Sequence, residues 1–524
     1  MTNYRRTRRI KALILGLLFF KVGYEVASER GANPWETWKA KADGANMKPD
    51  LEDALALVDT GNWRRIPLEY GHETLEIAVP GDSVEISMGA VPIIHNWREE
   101  IDKAFSNPIG SPKLEEIIRN KGKRPGDMTV SVTVSDITRP VPYKEDRGIL
   151  GPILRTLESH GVRRENITII VGTGMHRAST HAEKVQMYGG KIVEQFTILD
   201  HDSENKDLLV SIGKTKRDTE VYVNKHFYCA DLKIATGLVE SHFMAGISGG
   251  RKAVCPGLVD VKTIQTFHGP YYLEDPNATN LILKGNPCHE EALKVARTVG
   301  VDFIVNVTLD KDMHLTGVFA GDLVEAHMEA FEMIEAYAEI HLERQFDIVL
   351  THGGYVGRDH YQTAKAGVGA IPAVKRGGVI IIAANNRDRE PIGSMEYKTL
   401  SHLLKMQNPD GFLDLLRHPR WRFTKDQWEP EVWGKPLRVV GEEGLIYCSG
   451  EIPEEDYAIL PGTSGYEFLL PEFRGRSNLE RAQAMVQNAL IWSFYQRRKS
   501  GMEPSVCYIR EGPYAIPVFG KAAL

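Results

Sequence analysis

The chain has few cysteines and no motif that would pair them. Its 524 residues contain five, and none stands in a C-x-x-C spacing. This excludes a disulfide scaffold and a cysteine-based zinc site, and it favours a reducing compartment, which we expect to be the cytoplasm. The chain also lacks an excess of basic residues. With a formal net charge of -6, no nucleic-acid partner is expected.

Long apolar runs are missing as well. One run, Ala12 to Phe20, follows a basic start as in a signal peptide, but it is too short to span a bilayer. No small-x-small cleavage site follows it. We expect an amphipathic helix that lies on the protein, within an N-terminal extension. A membrane-surface anchor stays open as the alternative.

Two nucleotide-binding motifs are absent. In "SHFMAGISGGRKAVCPG" (241–257), Arg251 stands where a P-loop needs its second glycine, and Ala253 replaces the magnesium-binding hydroxyl after Lys252. No G-x-G-x-x-G with a downstream acidic residue follows an early strand, which argues against the alternative of an NAD-dependent 2-hydroxyacid dehydrogenase. Glycines followed by a lysine still predict an anionic or electrophilic ligand.

Short β-branched runs alternate with helical stretches along most of the chain. This alternation predicts an α/β fold with largely parallel sheets, whose ligands bind at the carboxyl ends of strands. The predicted strands cover residues 128–134, 166–173, 195–200, 232–237, 303–309, 346–354 and 377–384.

A predicted helix over 325–344 marks a divide, because a new strand starts directly after it. We predict two α/β domains with a substrate and cofactor cleft between them. The expected segments are an N-terminal extension (1–60), an N-terminal α/β domain (61–335), a C-terminal α/β domain (340–490) and a tail that packs on the core (491–524).

Four polar clusters follow predicted strands: "SDITRP" (135–140), "GTGMHRAST" (172–180), the glycine-lysine segment extended to His268, and "GRDHYQTAKAG" (357–367). Each has a structural interpretation when taken alone, such as an Asx-type turn or a polar helix start. His201, between two aspartates, is an additional candidate with an equally good structural interpretation. The histidine spacings match no HExxH zinc motif.

Taken together and in order, "SDITRP", "GTGMHR", "TGLVESHFMAGISGGRK", "GVFAGD" and "YQTAK" resemble the nickel-dependent lactate racemase family. The resemblance covers roughly residues 80 to 390. It implies an isomerase that racemises or epimerises α-hydroxy acids. It also implies a nickel-pincer nucleotide, a pyridinium mononucleotide that grips nickel through sulfur, carbon and sulfur.

The resemblance assigns roles to residues in these clusters. His176 and His242 match two proton donor-acceptors, and His268 matches the protein ligand of a roughly square-planar nickel site. Lys252 matches a lysine that holds the cofactor, by a covalent tether or as a cation, and the glycines before it would bring the backbone to the cofactor. The other matches are Asp136, Ile137, Thr138 and Arg139 for cofactor binding, and Arg139, Gln362 and Lys365 for substrate binding.

The implied chemistry explains these residue types. The C2 hydrogen of an α-hydroxy acid is barely acidic, so it leaves more easily as hydride while the hydroxyl loses its proton. Two histidines serve the two enantiomers, since imidazole works as acid and as base near neutral pH. Retention of both argues against a non-catalytic nucleotide- or anion-binding protein. Maturation would need cofactor-biosynthesis proteins. The particular hydroxy acid, the oligomeric state and the role of the terminal extensions stay open.

Overall fold

The computed structural model describes residues 47–144, 147–215 and 217–520. The apolar run from Ala12 to Phe20 lies outside these ranges. The described chain forms two compact units. Unit 1 contains residues 47–88 and 340–520, and unit 2 contains residues 89–339.

Strands and helices alternate in both units, as the sequence predicts. The strands in chain order are β1 (Arg64–Tyr70), β2 (Glu73–Val79), β3 (Val84–Ile86), β4 (Val130–Val134), β5 (Ile167–Val171), β6 (Thr197–Asp200), β7 (Leu209–Lys214), β8 (Glu220–Asn224), β9 (Leu232–Leu238), β10 (Ser241–His242), β11 (Gly246–Ile247), β12 (Phe303–Leu309), β13 (Leu315–Gly321), β14 (Glu339–Leu342), β15 (Phe346–His352), β16 (Val374–Ala383), β17 (Leu445–Cys448), β18 (Thr463–Ser464), β19 (Val506–Ile509) and β20 (Ile516–Phe519). The α-helices are α1 (Leu51–Leu57), α2 (Trp97–Ser106), α3 (Leu114–Asn120), α4 (Leu150–Ser159), α5 (His181–Tyr188), α6 (Gly190–Gln195), α7 (Lys225–Tyr228), α8 (Val261–Phe267), α9 (Pro270–Leu273), α10 (Pro287–Val299), α11 (Glu325–Ala338), α12 (His360–Ala370), α13 (Met395–Arg417), α14 (Trp428–Val440) and α15 (Asn478–Lys499).

Unit 2 is built on a six-stranded sheet in the order β13-β12-β9-β4-β5-β6. Its strands run parallel except β13, which pairs antiparallel with β12 at one edge. Every residue of β4 is buried, as expected for a strand covered on both faces. The chain runs outward from β4 to β5 and β6, then returns to place β9 on the other side of β4. The carboxyl ends of β4 and β9 therefore form a topological switch point, where α/β proteins bind ligands.

Unit 1 contains a second six-stranded sheet, in the order β18-β17-β16-β15-β19-β3, and all neighbouring strands are parallel. It also has a switch point, at the carboxyl end of β15. Residues 61–88, which the sequence analysis placed in the N-terminal domain, belong to this unit because β3 pairs with β19. The predicted tail likewise supplies β19 to the interior of the sheet, beside β15.

The predicted strands are confirmed, with ends shifted by a few residues. The predicted helix over 325–344 is shorter than expected. It ends at Ala338 and continues as β14, because Glu339–Leu342 pairs with β20 instead of following the helical pattern. None of the helices within the described ranges is long and apolar enough to cross a bilayer.

Candidate active site

Three of the predicted clusters lie at the carboxyl ends of neighbouring strands of unit 2. Residues 135–139 follow β4, residues 172–176 follow β5, and two residues separate the end of β9 from the start of β10. Since β5, β4 and β9 are adjacent in the sheet, these segments meet at the switch point. The segments could be located from the sequence, and the strand order brings them to one edge of the sheet.

The turn after β4 is held in a fixed conformation. Asp136 is buried, and its Oδ1 accepts hydrogen bonds from the backbone nitrogen and the hydroxyl of Thr138, at 3.0 and 2.5 Å. The preceding peptide is pinned by two buried tyrosines. Ser135 N donates to the Tyr143 hydroxyl at 2.7 Å, and the Tyr188 hydroxyl donates to Ser135 O at 2.8 Å. The Asx-type turn, the structural interpretation of this cluster, is therefore present, and it presents Asp136 in one orientation.

His176 and Asp136 form a hydrogen-bonded pair. His176 Nδ1 lies 2.6 Å from Asp136 Oδ2, and the histidine side chain is 55% exposed. Burial by itself would raise the pKa of Asp136, but the hydrogen bonds and charge of His176, with the bonds from Thr138, hold that pKa below its usual value. An ionised carboxylate accepts the Nδ1 proton, so Nε2 of His176 carries the lone pair of the neutral ring. This is the arrangement of a general base.

Arg139 connects the turn after β4 with the segment after β9. Its Nε lies 3.7 Å from Glu240 Oε1, and both side chains are partly exposed. The ion pair is long, so its contribution to stability is small. Its structural consequence is that the guanidinium lies beside the segment that leads into His242. Glu240 was not predicted, because an isolated acidic residue has no distinguishing pattern in the sequence.

His242 and Lys252 are brought together by a tight hairpin. The strands β10 and β11 pair antiparallel, with His242 opposite Gly246. Nζ of Lys252 lies 2.7 Å from Nε2 of His242. The His242 residue is buried, with 8% of its surface exposed. A buried imidazole and an amine thus share one hydrogen bond at the switch point.

The glycines before Lys252 are required by packing. Gly249 and Gly250 have φ of 70° and 48°, which few other residues adopt at low cost. A Cβ at Gly249 would lie 2.6 Å from Val239 Cγ2, and one at Gly250 would lie 2.7 Å from the His327 ring. Packing against the protein's own side chains therefore accounts for these two glycines, and their approach to a ligand stays a prediction.

His268 is the C-cap residue of the helix α8. Its side chain has the properties of a metal ligand. Its Nδ1 lies 2.9 Å from Ile264 O, and a carbonyl only accepts, so Nδ1 carries the proton and Nε2 the lone pair. Burial lowers the pKa of His268 to about 4, which keeps the ring neutral at physiological pH. A neutral imidazole suits Ni(II), Cu(II) and Zn(II). The residue thus fits the metal role that the resemblance implies.

Backbone contacts hold the GTG turn against the segment between Lys252 and His268. Gly174 N donates to Gly257 O at 3.1 Å, and a Cβ at Gly174 would lie 3.5 Å from Pro256 O. His201, the additional candidate, is buried, with its Nε2 2.9 Å from Val259 O and its Nδ1 3.2 Å from Asn224 Nδ2. These contacts support a structural role for His201.

The fourth cluster lies in unit 1, at the start of α12 after β15. Gln362 and Lys365 are partly buried and one helical turn apart, as predicted. Asp359 caps this helix, and its Oδ1 accepts from Gln362 N at 2.7 Å. Burial raises the pKa of Asp359 to about 7, and it raises the pKa of the nearby Glu429 well above its usual value. Neither acidic residue was predicted.

Replacing Asp359 by Asn should stabilise the protein at alkaline pH. Folding raises the pKa of Asp359 from 3.8 to about 7, so ionisation of this side chain disfavours the folded state. The free energy of unfolding is unaffected below pH 3.8, falls between the two pKa values and carries the full loss above about pH 7. Asn keeps the capping oxygen. We expect a gain of about 1–3 kcal/mol in unfolding free energy near pH 8 and little change near pH 4.

Denaturant unfolding at the two pH values measures this effect. Asp322→Asn is the matched control, since Asp322 Oδ1 caps the start of α11 through Val324 N and Glu325 N. The control should show no gain near pH 8. Equal effects of D359N at both pH values would contradict the prediction.

Comparisons with known proteins agree with the resemblance noted in the sequence. Residues 70–280 match the family model "Lactate racemase N-terminal domain". A lactate racemase of Lactiplantibacillus plantarum is 36% identical over 354 residues, which cover 67% of this chain and 80% of the relative. A lactate racemase of Thermoanaerobacterium thermosaccharolyticum is 29% identical over 378 residues, or 71% of this chain and 85% of the relative.

The fold of the chain also matches solved structures. The structure of the lactate racemase apoprotein from T. thermosaccharolyticum matches with a TM-score of 0.72 and 26% identity, covering 87% of this chain and all of that one. A Thermotoga maritima protein matches with a TM-score of 0.56 at 16% identity, which shows the fold alone. On the identity and coverage of these relatives, the chain belongs to the lactate racemase family of isomerases.

Proposed function

We propose that this isomerase inverts C2 of a small α-hydroxy acid, with lactate as the first candidate because both named relatives are lactate racemases. The observation that carries the proposal is the 2.6 Å contact of His176 with Asp136. It makes His176 a base directed by a carboxylate, at the switch point that also carries His242 and Lys252. When the C2 hydrogen leaves as hydride, a base must take the proton of the hydroxyl group.

We further propose that a nickel-pincer nucleotide binds in unit 2. Asp136, Ile137, Thr138 and Arg139 with Lys252 would hold it, and His268 would ligate its metal. When bound, this group supplies a hydride acceptor. The neutral ring of His268, with Nδ1 fixed by Ile264 O, supports the metal role. The Lys252 amine, close to His242, supports attachment of an electrophilic or anionic arm.

The chain's own residues then handle the protons and the substrate. Nε2 of His176 accepts the hydroxyl proton of one enantiomer, and Asp136 stabilises the resulting imidazolium. We propose that His242 accepts the hydroxyl proton of the other enantiomer. Arg139, Gln362 and Lys365 would bind the carboxylate, so that only the reacting carbon changes shape. The predicted cleft between the two domains stays a prediction. The five free thiols support a cytoplasmic location.

The test uses the full chain produced together with cofactor-biosynthesis proteins. It is incubated in D₂O with single enantiomers of lactate and of larger 2-hydroxy acids, and the products are analysed by chiral separation and mass spectrometry. We expect inversion of at least one acid with its C2 hydrogen retained, because hydride does not exchange with solvent. Deuterium at C2 would indicate proton abstraction instead. No inversion by metal-loaded protein would contradict the proposal.

A further inference from the structure

The helix α5 begins directly after the segment that carries His176. This segment, residues 172–180, connects the end of β5 to the helix. Its first half is tied to the sheet, for example by the hydroxyl of Thr173, which donates to the backbone oxygen of His201 at 2.6 Å. The three residues that begin with His176 are exposed. The placement of the His176 ring therefore depends on how the second half of the segment is held.

Asp200, the last residue of β6, holds this second half. Its Oδ1 accepts from Ser179 N at 2.9 Å, and its Oδ2 forms an ion pair with Nζ of Lys184, which lies on α5. Both charged side chains are largely covered, so water and salt screen this pair less than a surface pair. Within the described ranges, Ser179 is the first residue after His176 whose backbone nitrogen donates a hydrogen bond. Asp200 therefore anchors the segment to the sheet and to the helix.

A second contact attaches the residue after His176 to the same helix. Arg177 Nη1 donates to Glu183 Oε2 at 2.8 Å, and the same carboxylate oxygen accepts from the backbone nitrogen of Thr180 at 2.7 Å. Thr180 and Glu183 thus form a capping box at the start of α5. The hydrogen bonds from Arg177 and Thr180 lower the pKa of Glu183 to about 2, so its carboxylate is ionised at physiological pH.

The same helix also holds the turn that carries Asp136. Tyr188 lies one helical turn after Lys184 on α5, so the two side chains share a face. The buried hydroxyl of Tyr188 donates to Ser135 O at 2.8 Å, and this oxygen belongs to the peptide that leads into Asp136. One helix is thus connected to both members of the pair of His176 and Asp136.

We propose that Lys184, Asp200 and Tyr188 are positioning residues of this pair. Through α5 they set the distance and the orientation of the His176 ring relative to Asp136. This inference rests on the proposed function, in which His176 is a base. The histidine side chain is half-exposed, so water competes for its 2.6 Å contact with Asp136. Support of both partners by one element means that they need not be ordered when the substrate binds.

The first test is ¹⁵N NMR of the unloaded full chain with labelled histidine. The ring signals of His176 are assigned with His176→Gln, and Asp136→Asn gives the pattern of this ring without its charged partner. We expect Asp200→Ala and Tyr188→Phe to move the His176 signals toward that pattern, because each releases one side of the contact. Lys184→Met leaves Asp200 in place, so it should act in the same direction with a smaller effect.

Two matched controls separate positioning from a general loss of stability. Asp302 has the same kind of ion pair at the amino end of the same sheet, since its two oxygens accept from Lys121 Nζ at 2.6 Å and from Lys233 N at 2.9 Å. Tyr466 is a buried tyrosine of unit 1 whose hydroxyl donates to a backbone carbonyl at 3.2 Å. Asp302→Ala and Tyr466→Phe should leave the His176 signals unchanged.

The second test is a double-mutant cycle on the metal-loaded enzyme. We expect Asp200→Ala to lower kcat per bound metal by about 10–100-fold with KM within about threefold, because the proposed carboxylate-binding residues are untouched. In the Asp136→Asn background the same substitution should cost less than about twofold, since no charged contact remains to be set. A merely structural loss would lower kcat equally in both backgrounds.

Wild-type His176 signals in both D200A and Y188F would overturn the inference. Equal effects of D200A on kcat with and without D136N would also overturn it. The NMR measurement uses unloaded protein, so its result is independent of racemisation. Failure of the loaded enzyme to invert any acid would overturn the proposed function and leave the NMR result on His176 standing.

Discussion

Replacing His268 by Gln is expected to remove the metal and, with it, the racemase activity. The ring is neutral, and its Nδ1 is fixed by Ile264 O, so Nε2 is directed as a ligand without reorganisation. Glutamine has no comparable nitrogen lone pair. Loss of a residue that only hydrogen-bonds to a metal ligand lowers metal affinity or activity by about 10–100-fold. We therefore expect loss of the ligand itself to lower the initial rate by more than about 100-fold. Elemental analysis and rate measurement on the same sample check this.

His160→Gln is a closely matched control for this substitution. His160 also ends a helix of unit 2, and its Nδ1 lies 2.9 Å from the carbonyl four residues earlier, as in His268. The control should keep both metal and activity. Full metal occupancy in H268Q would contradict the ligand role.

The pH dependence of metal retention provides a second check on His268. Burial lowers its pKa to about 4, so protons compete with the metal only in that range. We expect metal to be retained down to about pH 5, whereas an ordinary exposed histidine would release it as pH falls through its usual value near 6.5.

Seven of the twelve strands in the two six-stranded sheets were predicted from the sequence, because their buried β-branched runs are local signals. The strands β3, β13, β17, β18 and β19 were not predicted. The strand order could not be predicted either. β3 contributes only three residues, and its pairing with β19 joins positions more than 400 residues apart, for example Val84 and Cys507. No local pattern specifies such a pairing, which is why residues 61–88 were assigned to the other domain.

The candidate site was predictable where a chemically distinctive side chain stands next to glycine or follows a strand, as with His176, His242 and Lys252. The residues that orient them were not. Tyr143 and Tyr188 pin the peptide of Ser135, yet in the sequence they are indistinguishable from ordinary core tyrosines. Asn286 caps α10 with its side-chain oxygen, and its side-chain nitrogen donates to Met244 O, a contact that no spacing rule anticipates.

Asp136 and His176 should behave as one catalytic unit. Asp136→Asn keeps the shape of the side chain but removes the charge that holds the Nδ1 proton of His176, and we expect a loss of about 10²–10⁴-fold in kcat. His176→Gln should cost a similar amount. Groups that act together are not additive, so the double variant should be little worse than either single one. Metal content should stay unchanged in H176Q. Because Asp136 is also proposed to hold the cofactor, the rates of the other two variants are compared per bound metal, which separates a catalytic loss from a loss of cofactor.

The pair of Asp310 and His314 is the matched control, with a largely covered carboxylate and an exposed histidine. Its Nδ1–Oδ2 contact of 2.9 Å resembles that of the proposed catalytic pair, but it lies in the turn between β12 and β13. Asp310→Asn should leave kcat within about twofold of wild type, because the hydrogen bond it alters orients no catalytic base. If D136N kept full activity, or if the effects of D136N and H176Q simply multiplied in the double variant, the carboxylate would not be orienting His176. The base would then have to be directed by another group, and the 2.6 Å contact would be structural.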